Sequence, residues 1–298
     1  MRSVLFLAAA AACTVAYHPV FFMHGIGGDS DDFYYLYRWI NETHPGTPMY
    51  PISMFQGAPM SWLPLHYQVE KISAHIRAVV AAGAPGEFDN GYHLLCHSQG
   101  GLICRALVEE MDDHNVHTII SMAGPQLGVY GNSFFDFEKI PLFENLTCKD
   151  IWHVAYTPEA QLTLSVANMW NDPKHNETYY QQNVFLPHIN GLDSDAARLK
   201  ANFLRLQKAV FVVGEFEGAE GGYDGGIQPW QSGVFGFFDS SGGTYDVTHH
   251  AVWRNDSFGL RTLNETGRLV LGSYPGVRHD AWILDKKTFM TYTLPYLV

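Results

Sequence analysis

Positive charge is scarce in this chain of 298 residues: 18 Lys and Arg stand against 30 Asp and Glu, for a formal net charge of −12. A surface with that balance repels nucleic acid, so no nucleic-acid partner is expected. Charge of both signs is sparse, at 16%, while 47% of residues are hydrophobic and 14% aromatic, which excludes a disordered or coiled-coil chain. Cysteine is rare, with four residues and no Cys-x-x-Cys pair, so neither a disulfide-built scaffold nor a metal site is expected. Repeats, low-complexity tracts and interdomain linkers are lacking. So is any apolar run of the about 20 residues that a membrane span requires.

One shorter apolar run carries an address. Arg2 precedes Val4 to Ala12, and Thr14-Val15-Ala16 offers small residues for cleavage, so residues 1–16 are expected to be a secretory signal peptide. Five N-x-S/T sequons, at Asn41, Asn145, Asn176, Asn255 and Asn264, suit a chain glycosylated on that route. Histidine is plentiful: protonating all 15 would carry the net charge from −12 to +3, so the acidic character would vanish in an acidic compartment.

The remaining 17–298 are expected to form one domain. Short, continuous, β-prone runs recur at Pro19–Met23, Met49–Ser53, Tyr92–Cys96, Thr118–Ala123, Ala209–Gly214 and Arg268–Ser273. Apolar runs without alternation suit strands buried on both faces of a parallel sheet. Between them, Leu65–Ala82 sets Val69, Ile72, Ile76, Val79 and Val80 at helical spacing, and Gly100–Met111 does the same with Leu102, Ile103, Ala106 and Leu107. Strand and helix in alternation predict an open α/β sheet flanked by helices. From about 125 to 206 the strands stop and aromatics crowd, including Phe134, Phe135, Phe137, Phe143, Trp152, Tyr156, Trp170, Tyr179 and Tyr180. So long an interval predicts an inserted, largely helical cap. Its aromatics read equally as an apolar acyl groove or as the cap's own core.

The chemistry concentrates at His93-Leu-Leu-Cys-His-Ser98-Gln-Gly-Gly101, between a strand and a helix. That is the setting of a nucleophile elbow, in which a tight turn lifts a serine hydroxyl above the sheet and demands small neighbours. Gly100 supplies one; the glycine usual two residues before the serine is replaced by Cys96. Ser98 needs a base, and the base needs an orienting acid, in the chain order Ser, Asp or Glu, His. His279 follows the last strand and stands where the base belongs. Asp224 is the leading acid, with Glu215, Glu217, Glu220 and Asp239 as rivals. His97 adjoins Ser98, but its place in the turn points its ring away from the hydroxyl. For the oxyanion of acyl transfer, the expected donors are the backbone N–H groups of Gln99 and of Ile26, the latter in Met23-His-Gly-Ile-Gly-Gly28. Cys13 lies in the leader, leaving Cys96, Cys104 and Cys148. Cys96 and Cys104 flank the elbow, and read either as a disulfide or as two small buried apolar side chains.

With these loops assembled, the chain resembles the palmitoyl-protein thioesterases, and most their lysosomal thioesterase branch. The resemblance runs through Ile40-Asn-Glu-Thr-His-Pro-Gly46, Ser98-Gln-Gly-Gly-Leu102, Arg105-Ala-Leu107, Met111-Asp-Asp-His-Asn-Val116 and Pro125-Gln126. It continues through Asn202-Phe-Leu-Arg205, Pro229-Trp-Gln-Ser232, Phe235-Gly-Phe237 and Asp256-Ser-Phe-Gly-Leu260. It implies an α/β-hydrolase fold and a lysosomal or secreted serine hydrolase acting on long-chain fatty-acyl thioesters, without a cofactor. It also implies that the elbow serine is Ser98, the histidine His279 and the acid, before Ile227-Gln-Pro-Trp230, Asp224. The branch usually carries more cysteines; Cys148 has no partner near Val166, so no cap disulfide is expected. An oxygen-ester lipase, or a lipid-binding glycoprotein without activity, would share much of this pattern. Oligomeric state is not legible.

Overall fold

The computed structural model describes residues 17–130, 146, 150–215, 235–238 and 244–298. Six strands, β1 (Val20–Met23), β2 (Met49–Pro51), β3 (Tyr92–His97), β4 (Val116–Met122), β5 (Lys208–Glu215) and, after the short pair β6 (Phe237–Phe238) and β7 (Thr244–Tyr245), β8 (Leu269–Pro275), build the molecule. All but β6 and β7 join one parallel sheet in the order β2-β1-β3-β4-β5-β8. This is the open parallel sheet that the strand–helix rhythm predicts, and it suits the α/β-hydrolase fold that the resemblance implies.

Burial on both faces explains the continuous apolar strands. Every residue of β1 and β3 is buried. Successive side chains alternate between faces: Phe21, Met23, Leu94 and Cys96 join one core, Val20, Phe22 and Leu95 the other. Helices α2 (Leu65–Ala82) and α3 (Gln99–Glu110) cover the first face. The second is covered by α1 (Tyr34–Thr43), through Leu36 and Ile40, and by Trp282, Phe289 and Leu297 near the end of the chain. Helix α2 buries Leu65, Val69, Ile72 and Ile76, a stripe at helical spacing.

Between β4 and β5 the described residues form six short helices: α4 (Ile151–Ala155), α5 (Pro158–Thr163), α6 (Ser165–Met169), α7 (Asn176–Gln182), α8 (Leu186–Ile189) and α9 (Ala196–Phe203). Of the aromatics there, Tyr156, Trp170 and Tyr179 are buried in the main core and Tyr180 is exposed. Phe134, Phe135, Phe137, Phe143 and Cys148 lie outside the described residues. Helix α2 has no side-chain cap of its own. Instead Asn168 of α6 accepts the Leu65 N–H at 2.8 Å, which fastens the insertion to the sheet-covering layer.

Arg105 of α3 is the other fastening. It is fully buried, and all five of its N–H donors are used: Nε to Gln126 Oε1, one terminal nitrogen to Glu109 and the Ile189 carbonyl, the other to the Gln126 carbonyl and Asn190 Oδ1. Phe258 and Phe235 face its guanidinium at 4.8 and 5.8 Å. Burial pushes the Glu109 carboxyl well above the usual carboxylate range, against the pull of Arg105.

In such a sheet ligands bind beyond the carboxyl ends of the strands, where the strand order reverses. Here that point lies between β1 and β3. The loop after β1 is Met23–Gly28, and the turn after β3 holds Ser98. The four described sequon asparagines, Asn41, Asn176, Asn255 and Asn264, are all exposed; Asn145 lies outside the described residues.

Candidate active site

Ser98 links β3 to α3 with φ 54° and ψ −129°, a backbone conformation that side-chain-bearing residues rarely adopt. The turn is held by the Ser98 N–H donating to the Met122 carbonyl of β4 at 2.9 Å. Gly100 is required by crowding: a Cβ there would stand 2.4 Å from the Met23 carbonyl oxygen and 2.5 Å from that of His24. At Gly101 it would meet Ser121 Oγ at 2.2 Å. Cys96 and Cys104 are disulfide-bonded with Cα atoms 6.7 Å apart, so the residue replacing the usual glycine ties the end of β3 to the second turn of α3.

His279 opens a short 3-10 turn, His279–Ile283, after β8. Its Nε2 lies 2.8 Å from Ser98 Oγ, so the serine hydroxyl donates to a neutral imidazole. The turn is seated by Gly214 of β5, where a Cβ would stand 1.7 Å from the Val277 carbonyl oxygen. Burial, and then the neighbouring His97, push His279 down to about 3. It is therefore an unprotonated acceptor across mildly acidic as well as neutral pH.

His97 does not approach Ser98 as a base. Its Nε2 donates to the His279 backbone carbonyl at 2.8 Å, and the two rings lie 5.0 Å apart. It thus braces the backbone of the histidine that meets the serine. The Asp280 carboxylate, exposed, lies within 4.8 Å of a ring nitrogen of each histidine. No local sequence signal marks either arrangement, since 182 residues separate His97 from His279.

The glycine loop after β1 packs directly on the elbow. A Cβ at Gly25 would lie 2.8 Å from Ser98 Cβ. Among the described residues, no backbone acceptor is paired with the N–H of Ile26 or of Gln99. Ser61, which no sequence motif singles out, organises the surroundings. Its hydroxyl accepts the Gly27 N–H and donates to the Gly57 carbonyl, both at 2.8 Å. Its own carbonyl accepts from the side chains of Gln99, Gln68 and Ser165. One serine thereby joins the glycine loop, the elbow, α2 and α6.

Of the expected acids, Asp224, Glu217, Glu220 and Asp239 lie outside the described residues. Glu215 ends β5 opposite Pro275 of β8.

Known proteins resemble this chain in sequence and in fold. The family described as palmitoyl protein thioesterase matches residues 19–279. Lysosomal thioesterase PPT2 of Homo sapiens is 38% identical over 296 residues, covering 99% of this chain and 92% of that protein. Lysosomal thioesterase PPT2-B of Xenopus laevis is 34% identical over 304 residues, covering 100% of both. Among solved structures, the mature form of the Bacillus licheniformis lipase BlEst2 has a TM-score of 0.50 at 14% identity, covering 95% of this chain and 94% of that one. At that identity the likeness is one of fold.

Proposed function

Because the chain belongs to the palmitoyl-protein thioesterase family, and so is a hydrolase of thioesters, we propose that it cleaves long-chain fatty-acyl thioesters through an acyl-enzyme on Ser98. The observation that carries this reading is the 2.8 Å contact between Ser98 Oγ and His279 Nε2 on a strained strand-to-helix turn. As Ser98 Oγ attacks the thioester carbonyl, its proton passes to His279 Nε2. The negative charge developing on the carbonyl oxygen is met by the N–H groups of Ile26 and Gln99. The tetrahedral species collapses with loss of the thiolate, a good leaving group, which takes the proton from the His279 imidazolium and departs as the thiol, leaving His279 neutral again. Water then attacks the acyl-serine, His279 takes its proton, and the fatty acid leaves as Ser98 regains its hydrogen.

Asp224 is proposed to orient His279 through Nδ1, on the strength of the family resemblance around Ile227–Trp230. The segment near 125–206 is proposed as the cap that shelters the acyl chain. Residues 1–16 are proposed to direct secretion, and the exposed sequons to carry glycans. The relatives are named lysosomal; a lysosomal or secreted location suits a base that stays neutral in acid.

The test is thiol release from palmitoyl-CoA by wild type and Ser98→Ala, at acid and neutral pH. Loss of the serine is expected to cost on the order of 10⁶ in rate; turnover by Ser98→Ala would remove the nucleophile assignment. Asp224→Asn should fall strongly, while Glu215→Gln and Asp280→Asn should not; the reverse pattern would move the acid. A clear preference for the matched oxygen ester would make the chain a lipase instead.

A further inference from the structure

The opposite end of the sheet holds a second cluster of imidazoles. His18 precedes β1, His93 is the second residue of β3, and His117 is the second of β4. One ring nitrogen from each lies within 4.8 Å of those of the other two. The ring centroids are 4.6 to 5.6 Å apart. Ser98 lies five residue steps along β3 and its turn from His93, about 16 Å at roughly 3.3 Å per residue, so the cluster is remote from the hydrolytic site.

Three features are out of keeping with simple packing. His93 is fully buried, yet its Nδ1 has no hydrogen-bond partner, and neither does the buried Nδ1 of His18. Buried polar nitrogens are ordinarily satisfied. Second, the pairing of β3 with β4 slips at this point: Tyr92 opposes Val116 but His93 opposes Thr118, which leaves His117 as an extra residue. Bulges are uncommon in parallel pairs, and they redirect a side chain. This one sets the His117 ring edge-on to both other rings. Third, no Asp or Glu side chain contributes to the electrostatic surroundings of any of the three, so no acidic side chain accounts for their gathering; His93 Nε2 meets only the Val298 backbone, at 3.4 Å from its oxygen.

We propose that His18, His93 and His117 form a binding site for a divalent late first-row cation, of which zinc is the type. Three neutral imidazoles with no thiolate or carboxylate select zinc, copper or nickel over calcium or magnesium. Zinc–nitrogen bonds of about 2.0–2.1 Å in a tetrahedral site set ligand nitrogens about 3.3 Å apart, so the rings close by roughly 1.5 Å at most. Water fills the fourth position. The ion would clip the segment before β1 to β3 and β4, a structural role distinct from hydrolysis. A scan for metal-ligand spacing does not find this site, because its members are 75 and 24 residues apart and meet only through strand pairing.

The experiment is calorimetric titration of chelator-treated, full-length protein with zinc chloride, together with thermal unfolding with and without zinc. Wild type should bind one zinc per chain and unfold at a higher temperature when loaded. His18→Asn and His117→Asn, at the two less buried positions, should each weaken binding more than about 100-fold, since even outer-shell partners are worth 10–100-fold. Near-UV circular dichroism checks that both variants are folded. His279→Asn should bind zinc as wild type does, which separates this site from the His97–His279 pair. Failure of wild type to bind, or equal binding by wild type and the two folded variants, would overturn the proposal; loss only in His279→Asn would do so too.

Discussion

Replacing Arg105 by Met should be among the most damaging single changes in the core, and replacing its ion-pair partner Glu109 by Gln among the mildest. Both residues are fully buried, and Arg105 bonds Glu109 at 3.1 Å. An intact buried ion pair would make the two changes comparably costly, because either leaves an uncompensated charge, worth about 3–5 kcal/mol. The environment is not symmetric. Arg105 gives its five N–H groups to five oxygens on four residues, three of them neutral, and lies against two aromatic rings. Glu109 bonds only through Oε1; its buried Oε2 has no partner, and burial drives its carboxyl toward the neutral form. The neutral amide introduced by Glu109→Gln keeps an oxygen for Arg105 and removes a group that burial already disfavours.

Arg105→Met leaves five acceptors short of a donor, at about 1 kcal/mol or more each if they stay dry. A loss of about 3–5 kcal/mol is therefore expected, or roughly 6–20 °C in Tm at about 2–4 °C per kcal/mol for a chain of this order of size. Glu109→Gln should cost no more than about 1 kcal/mol. Thermal unfolding followed by circular dichroism, with urea titration at pH 5 and pH 7, measures both. Equal losses in the two variants would refute the reasoning, because they would show Glu109 ionised and its charge holding the insertion in place.

Three further outcomes follow from the same structure. Gly100→Ala should lower stability by about 1–3 kcal/mol and activity by at least about 10²-fold, because its Cβ meets two backbone carbonyls of the glycine loop; near-normal turnover would show that loop to be unimportant for the oxyanion. The acid limb of kcat/KM should lie below pH 6.5, because burial and His97 lower His279 to about 3, and Asp224→Asn should move it lower still if that carboxylate meets Nδ1; a limb near 6.5 that Asp224→Asn leaves in place would contradict the lowered base. His188, bonded to Glu110 and to Asp193 at 2.5 Å, is raised to about 9, chiefly by Glu110. A raised folded-state value stabilises fully below the unfolded value near 6.5 and is lost as pH rises through about 9. The Tm deficit of His188→Gln should thus be present at pH 5 and gone above pH 9; a deficit independent of pH would assign it to packing alone.

The inner strands are legible because burial on both faces writes an unbroken apolar run; the edge strands β2 and β8, only partly buried, show as shorter or more mixed β-prone runs, and each of the six falls within a few residues of its expected place. Helix α2 was legible at both ends for a related reason, its stripe from Leu65 being uninterrupted. Helix α1 goes unpredicted from the sequence, although Leu36, Trp39 and Ile40 line its buried face at helical spacing. The elbow was readable from Ser98 and Gly100, since crowding dictates residue size locally. What joins distant segments was not. Ser61, the brace from His97 to His279, the five bonds of Arg105 and the meeting of three histidines depend on which strands lie side by side, and the order β2-β1-β3-β4-β5-β8 has no local trace.

That order has a consequence for how such a protein changes over time. The long insertion leaves the sheet after β4 and re-enters at β5, and these two strands are hydrogen-bonded neighbours, Thr118 opposite Lys208 and Met122 opposite Val212. Its two ends are thus held side by side whatever lies between them, and lengthening a loop whose ends are already fixed adds little entropy. Ancestral segments of other lengths and shapes could be spliced in there while Ser98 and His279 kept their separation. The toll falls on the sockets, because a newcomer must supply oxygens for Arg105 and a cap for Leu65. The shape of the insertion can therefore change without moving the strand ends that carry Ser98 and His279, with Arg105 of α3 and Leu65 of α2 as the places where the two must fit.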